Sequence, residues 1–297
     1  MPADAERWTV RRLLEWTSGF FTRKEVDAPR LSAELLLAHV LNVPRIKLYT
    51  DYERPVPERE LGTFRDLVKR AGEQEPIAYL TGKGHFFSLE FAVGPGVLIP
   101  RPDTETLVEN VLQAARNTPG MESPRVLDLC TGSGCVACAI AQRIKTAIVT
   151  AIDISPAAVK IAQQNVEKLG LSDRVAVLQG DLYEPLKDAV DAGAFNVIVA
   201  NPPYIPTAQI ATLDRNVRDY EPRLALDGGA DGLDVHRRIM EHAGYRLAPG
   251  GQIYLEIAFD QGEAAKELVA AHDEFEGVRL LKDYGGKDRA VTAVRKG

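Results

Sequence analysis

Apolar positions recur at helical spacing through the N-terminal part of the chain, in three sets. They are Val10, Leu13, Leu14, Phe20 and Phe21; Leu31, Leu35, Leu36, Val40 and Leu41; and Leu61, Phe64, Leu67 and Val68. Breaks at Asp27-Ala28-Pro29, Asn42-Val43-Pro44 and Pro55-Val56-Pro57 separate the sets. The spacing predicts a small helical bundle over residues 1–84, with no catalytic constellation in it. The period then changes. The β-rich runs His85–Val93 and Val97–Pro100 flank Gly94-Pro95-Gly96. That predicts a hairpin over residues 85–100, acting as a connector. Asp103 or Thr104 would then cap a helix running to Ala115.

From residue 101 to 297 the pattern alternates strand, loop and helix. Strands are predicted at Arg125–Leu129, Ala147–Ile152, Val175–Gln179, Asn196–Ala200 and Gln252–Ile257. Helices are predicted at Cys135–Ile144, Pro156–Leu169, Asp234–Ala248 and Asp260–His272. Such alternation gives an α/β fold, a parallel sheet with helices on both faces. The closing runs Val278–Lys282 and Arg289–Arg295 have no helix between them, which predicts an antiparallel hairpin at one sheet edge.

Composition narrows the function. An apolar fraction of 45% over 297 residues can build a full core, and the net charge of −6 disfavours non-specific contact with phosphates. No direct nucleic-acid partner is expected. No apolar run approaches the ~20 residues of a membrane helix, and the start, Met1 to Arg7, lacks a signal-peptide pattern. The expectation is a cytoplasmic chain with no membrane partner. The three cysteines, Cys130, Cys135 and Cys138, are an odd, clustered set. Cys135 and Cys138 have C-x-x-C spacing, but no fourth ligand lies within sequence reach, so packing roles and no metal are expected. The five histidines form no motif.

Chemistry concentrates at the predicted strand ends. Thr131-Gly132-Ser133-Gly134 follows the first strand and precedes its helix. Its glycines permit a tight turn, and a helix N-terminus presents free N–H groups. The segment also satisfies a dinucleotide fingerprint, with Asp153 about twenty residues on. Asp128 alters the balance, because a carboxylate beside the loop repels a pyrophosphate and suits a cationic ligand. Asp153 can take two ribose hydroxyls, and Asp181 can accept from an exocyclic adenine amine. Three carboxylates at three successive strand ends suit adenosyl-methionine. After the fourth strand comes Asn201-Pro202-Pro203-Tyr204. The prolines offer no N–H. The side-chain oxygen of Asn201 and the Pro202 carbonyl are two acceptors beside an aromatic face, which suits a planar –NH2 group.

Several further segments carry a resemblance: Glu75–Gly82, Val97–Glu105 with its Pro100-Arg101-Pro102-Asp103-Thr104-Glu105, Tyr220-Glu221-Pro222, Asp231-Gly232-Leu233 and Leu255-Glu256-Ile257. With these the chain resembles, over nearly its whole length, the HemK/PrmC family, the release factor glutamine methyltransferases of class I. The resemblance implies a Rossmann-like sheet, S-adenosyl-L-methionine as cofactor, and the Gly-Gly-Gln glutamine of class I peptide chain release factors as substrate. It implies an N-terminal domain that helps hold the factor. Asp128, Thr131, Gly132, Gly134, Asp153, Ile154, Asp181, Leu182 and Asn201 become the expected cofactor contacts. Asn201, Pro202, Pro203 and Tyr204 become the substrate contacts, with Asn201, Pro202 and Tyr204 catalytic. Asn196 stands where the family usually has Asp. The alternatives are glutamine methylation of a ribosomal protein, adenine methylation of DNA, an NAD-dependent dehydrogenase, and a binding module without catalysis. Arg101 and Glu105 are expected to order the hairpin connection. No base lies near the reacting turn, so a flat rate profile between about pH 6.5 and 8.5 is expected, with Glu221 the first suspect otherwise.

Overall fold

The computed structural model describes residues 8–187 and 193–297. It divides into two compact units. One comprises the chain up to Lys83 together with Asp214–Tyr220, and the other comprises Gly84–Leu213 and Glu221–Gly297.

The first unit is helical: α1 Val10–Arg23, α2 Pro29–Leu41, α3 Ile46–Thr50, α4 Glu58–Gly72 and α5 Ile77–Thr81. Thr9 caps α1 by accepting from the Arg12 N–H, and Pro29 starts α2 with its φ preset. Leu14, Phe21, Leu36, Leu37 and Leu48 form its fully buried centre. The face of α2 differs from expectation. Leu31 is exposed, while Ala33, Glu34, Leu36 and Leu37 are buried. Neighbours cover α2 on more than one side, so its burial does not follow a single stripe. Buried Glu34 is held by Arg30, Arg45 and Tyr49.

A hairpin follows in the chain, β1 Lys83–Phe86 and β2 Leu89–Ala92, whose turn is Phe87-Ser88. Both turn residues have positive φ, 51° and 64°. The expected turn at Gly94-Pro95-Gly96 and the expected strand Val97–Pro100 are therefore corrected. Two outside groups hold the tighter turn: the Phe87 N–H donates to Glu105 at 2.7 Å, and the Arg143 guanidinium lies 5.1 Å from the Phe87 ring centre. Gly96, at φ 114°, instead packs close to Ala157, which an added Cβ would approach to within 2.9 Å.

The main sheet has seven strands: β3 Arg125–Leu129, β4 Ile148–Asp153, β5 Val175–Gln179, β6 Phe195–Ala200, β7 Leu247–Glu256, β8 Phe275–Lys282 and β9 Asp288–Arg295. Between them run α7 Cys135–Arg143, α8 Pro156–Lys168, α9 Asp234–Arg246 and α10 Gly262–Ala270, with α6 Glu105–Asn117 ahead of β3. The order is β5-β4-β3-β6-β7-β9-β8. β3 to β7 are parallel, and β9 and β8 close the edge antiparallel. The hydrophobic runs of the inner strands are nearly unbroken because both faces are covered. Leu127, Leu129, Ile198, Ala200, Ile253 and Leu255 are wholly buried. The chain builds outward from β3 to β5, then returns to lay β6 on the other side of β3. Open α/β sheets bind ligands at this point of reversal, beyond the carboxyl ends of the strands.

Candidate active site

The register fixes which residues meet there. Leu129 lies beside Ile152 on one side and Ala200 on the other, and Asp153 pairs with Gln179. The residues at and just beyond these ends line one cleft: Asp128 near the end of β3 with Thr131 and Gly132 from the first loop, Asp153 ending β4 with Ile154 after it, Asp181 and Leu182 after β5, and Asn201 and Pro203 after β6. Gly134, Pro202 and Tyr204 are not on its wall.

Asp128 is 1% exposed. Its Oδ2 accepts from the Thr131 hydroxyl at 2.6 Å and from the Ala137 N–H at 3.1 Å. Its Oδ1 has no partner among the described residues. Burial pushes its pKa up to about 7 against the pull of those two bonds, with a smaller push from Asp153. A buried carboxylate short of a counter-charge is the donor set for a cation.

Asp153 links two loops. Its Oδ2 accepts from Gly132 N–H at 2.8 Å and its Oδ1 from Ser155 N–H at 2.9 Å. Burial raises its pKa. Each oxygen keeps a lone pair for a ligand hydroxyl. Asp181 is half-engaged, with Oδ2 accepting from Arg238 at 2.7 Å. Arg238 was not foreseen, because α9 lies far on in sequence. Gly134, at φ 77°, serves packing: an added Cβ would stand 3.2 Å from the Ala162 Cβ and 3.4 Å from its Cα. Cys135 and Cys138 are buried in α7. Burial pushes the Cys135 thiol up to about 12 and raises the other two, so none is a nucleophile at neutral pH. No cluster of metal ligands occurs among the described residues.

The Asn-Pro-Pro-Tyr turn has a definite polarity. Asn201 Nδ2 donates to Thr104 Oγ1 at 3.1 Å, which leaves Asn201 Oδ1 as an acceptor for the cleft. No hydrogen bond from the described residues reaches the Pro202 carbonyl. The Tyr204 carbonyl is occupied by Gln261 at 2.9 Å. Tyr204 turns its hydroxyl to Glu256 Oε1 at 3.4 Å, and burial raises its pKa. It supports the turn from behind. Thr104 does not cap α6: it ends a 3₁₀ turn in helical conformation and faces inward. The sequence signal for Glu256 was a lone acid in the run Ile253–Ile257, all of it buried.

Glu221 is no free base. It is buried, accepts from Arg101 through Oε1, and takes the Ile99 N–H at 3.2 Å through Oε2. Arg101 therefore anchors the Glu221 loop, while Glu105 holds the hairpin turn. Asn196 accepts from the Arg125 N–H at 2.9 Å, a bond between strands. A flat rate profile is not what this site predicts. Asp128 and Glu256 both have pKa values raised to about 7 by burial.

Comparison with known proteins adds two family models and close relatives. Residues 12–82 match the PrmC N-terminal domain, and residues 102–229 match the methyltransferase small domain. The chain is 45% identical to the release factor glutamine methyltransferase of Moorella thermoacetica, over 91% of this chain and 93% of that one. It is 43% identical to the enzyme of the same name from Geobacter sulfurreducens, over 98% of both. A solved Thermus thermophilus 16S rRNA N2 G1207 methyltransferase shares the fold, with TM-score 0.50 and 22% identity over 72% of this chain and 50% of that chain.

Proposed function

The chain belongs to the release factor glutamine methyltransferase family, and from that premise we propose how its cleft acts on a glutamine of a release factor. The reaction is methylation of the side-chain amide nitrogen. The observation that carries the reading is the paired acceptor at the fourth strand end, Asn201 Oδ1 and the Pro202 carbonyl, beside a cleft whose buried Asp128 carboxylate is hydrogen-bonded by Thr131 and Ala137 and by no basic side chain among the described residues.

S-adenosyl-L-methionine fits that cleft, and when bound it supplies an electrophilic methyl group on a sulfonium. Asp128 would take its cationic end, the turn at Gly132 would let backbone approach it, Asp153 would accept from ribose, and Ile154 and Leu182 would sandwich the flat base. Asp181 keeps Oδ1 for an amine.

An amide nitrogen is a weak nucleophile because its lone pair is shared with the carbonyl. Asn201 and the Pro202 carbonyl accept its two hydrogens and so favour positive charge growing on nitrogen. They also fix its direction of approach, which removes a large entropic part of the barrier. The adjacent prolines keep the turn rigid and free of competing donors. The protonated product amide is a strong acid and loses its proton to water without a dedicated base.

We propose that the helical unit holds the body of the factor. Its support is an aromatic group in which Trp8 and Trp16 are exposed and Phe20 is partly buried. Trp16 is 52% exposed and stacks on Phe20 at 5.4 Å, with Arg65 and Lys69 along the same groove. The test of the whole reading is mass spectrometry of release factor incubated with the protein and S-adenosyl-L-methionine. A 14 Da gain on the Gly-Gly-Gln glutamine is expected, about the mass of one methyl replacing hydrogen. A methyl elsewhere, or none, defeats it.

A further inference from the structure

Asn165 lies in α8 and is wholly buried. Its amide is matched to Ala92 of β2. Oδ1 accepts from the Ala92 N–H at 2.7 Å, and Nδ2 donates to the Ala92 carbonyl at 3.0 Å. The side chain so takes the place of a further strand along an edge of the β1–β2 pair. That pairing fixes which end of the amide is nitrogen, since the reverse orientation sets donor against donor. The second Nδ2 hydrogen goes to the Ser133 carbonyl at 2.9 Å. One buried amide thus holds two segments that lie 73 and 32 residues away in sequence.

Both segments lead into the wall of the cofactor cleft. Ser133 lines it and is 2% exposed, and Gly96, Val97 and Leu98, which follow β2, line it too. The peptide from Ser133 to Gly134 is held on both sides, its carbonyl by Asn165 and its N–H by the Thr131 carbonyl at 2.9 Å. One turn earlier on α8, Ala162 packs against Gly134, and Ala157 stands close to Gly96. Lys168 also pairs with Glu90 of β2 at 2.8 Å, but both side chains are more than a third exposed, where an ion pair contributes little.

We propose that Asn165 is a positioning residue for the cofactor: it ties β2 to the Thr131–Gly134 loop and so sets the spacing of two parts of the cleft wall. Binding of the cofactor and docking of β2 on α8 then stabilise each other. This rests on the reading of the cleft as a site for S-adenosyl-L-methionine. Lifting β2 from α8 strips the Ala92 N–H and carbonyl of their partners and frees the amide that restrains the Ser133 carbonyl. Linkage makes the effect reciprocal. A ligand that needs the loop in place strengthens the Ala92 bonds by the factor with which those bonds strengthen the ligand.

The experiment begins with hydrogen exchange of the full chain with and without saturating S-adenosyl-L-methionine. The Ala92 amide should exchange at least about tenfold more slowly with cofactor bound. In Asn165→Ala that cofactor-dependent slowing should vanish. Calorimetry should show the variant binding S-adenosyl-L-methionine about tenfold more weakly, the scale of one lost hydrogen bond. Its kcat at saturating cofactor should stay within about threefold of wild type, because the loss lies in ground-state binding. Val166→Ala, at a buried apolar neighbour on α8, separates positioning from stability. It should lower the urea midpoint at least as much, yet leave cofactor affinity within about twofold. Asn165→Ala with wild-type affinity, or Val166→Ala with an equal loss, overturns the proposal. Should Asn165→Ala not fold, a wild-type Ala92 exchange rate that ignores the cofactor overturns it equally. Wild-type protein that binds no S-adenosyl-L-methionine defeats the reading of the cleft instead.

Discussion

At the scale of single residues, the two ends of the cleft should separate on mutation. Asn201 lines the cleft and is proposed to face the substrate, so Asn201→Ala should lower kcat by about 10²–10³ with cofactor affinity nearly intact. Calorimetry beside steady-state rates checks this, and near wild-type turnover would reduce the turn to a structural feature. Asp128 should behave oppositely. Its folded pKa is raised above the unfolded value, to about 7. Stability that it contributes below about pH 4 is therefore lost as pH rises through about 7, where the native state must ionise a buried group. Asp128→Asn should stabilise the cofactor-free protein at pH 8 by about 2 kcal/mol, less than the full linkage value because the site can relax, while weakening S-adenosyl-L-methionine at least tenfold. Melting curves with and without cofactor read both effects; a destabilised Asn variant would refute the account. Asp128 and Asn201 were legible in sequence because each sits directly at a strand end. Arg238, Thr104 and Glu256 were not, because their roles depend on partners 57, 97 and 52 residues away.

At the scale of elements, the period of the apolar pattern located the strands of the main sheet and the antiparallel closing pair. Their burial on both faces leaves a strong signal. The hairpin was misplaced for a physical reason. Gly94-Pro95-Gly96 carries the stronger local turn propensity, but Phe87-Ser88 is held at positive φ by Glu105 and Arg143. A contact from α6 thus outweighs local preference. Glycine chemistry was read correctly as a turn signal, yet Gly134 acts on helix packing and not on the cleft wall. Gly134→Ala meets both an unfavourable φ of 77° and Ala162 at 3.2 Å. It should cost about 1–3 kcal/mol, lowering the midpoint in urea. Because the same loop carries Gly132 and Asp153, cofactor affinity should fall with it. Unchanged urea midpoint would show that α7 and α8 shift apart at little cost.

For the whole molecule, the question is how a cleft that reads one amide chooses one protein. The proposed reacting turn and the proposed cofactor contacts all lie in the α/β unit, and a glutamine in any accessible loop would offer them the same chemistry. Selection must then come from surface remote from the reacting atoms, whose binding energy acts on whole substrate alone. Deleting the helices is a poor test. The helical unit also contains Asp214–Tyr220, and Tyr220 donates to the Glu73 carbonyl at 3.0 Å, so truncation would strip that segment of its support. Surface substitution avoids this. Trp16 is half exposed, and Lys69 lies in the same groove. Trp16→Ser combined with Lys69→Glu should lower kcat/KM for intact release factor by about 10–100-fold, the scale of losing one aromatic anchor and its neighbouring charge. The rate on a short Gly-Gly-Gln peptide should change by less than about twofold, since exposed positions contribute little to folding. Equal loss on both substrates would mean that the groove supports the fold of the helices. No loss on either would move recognition of the factor to the α/β unit itself, where exposed Leu224 beside the cleft would be the next residue to replace.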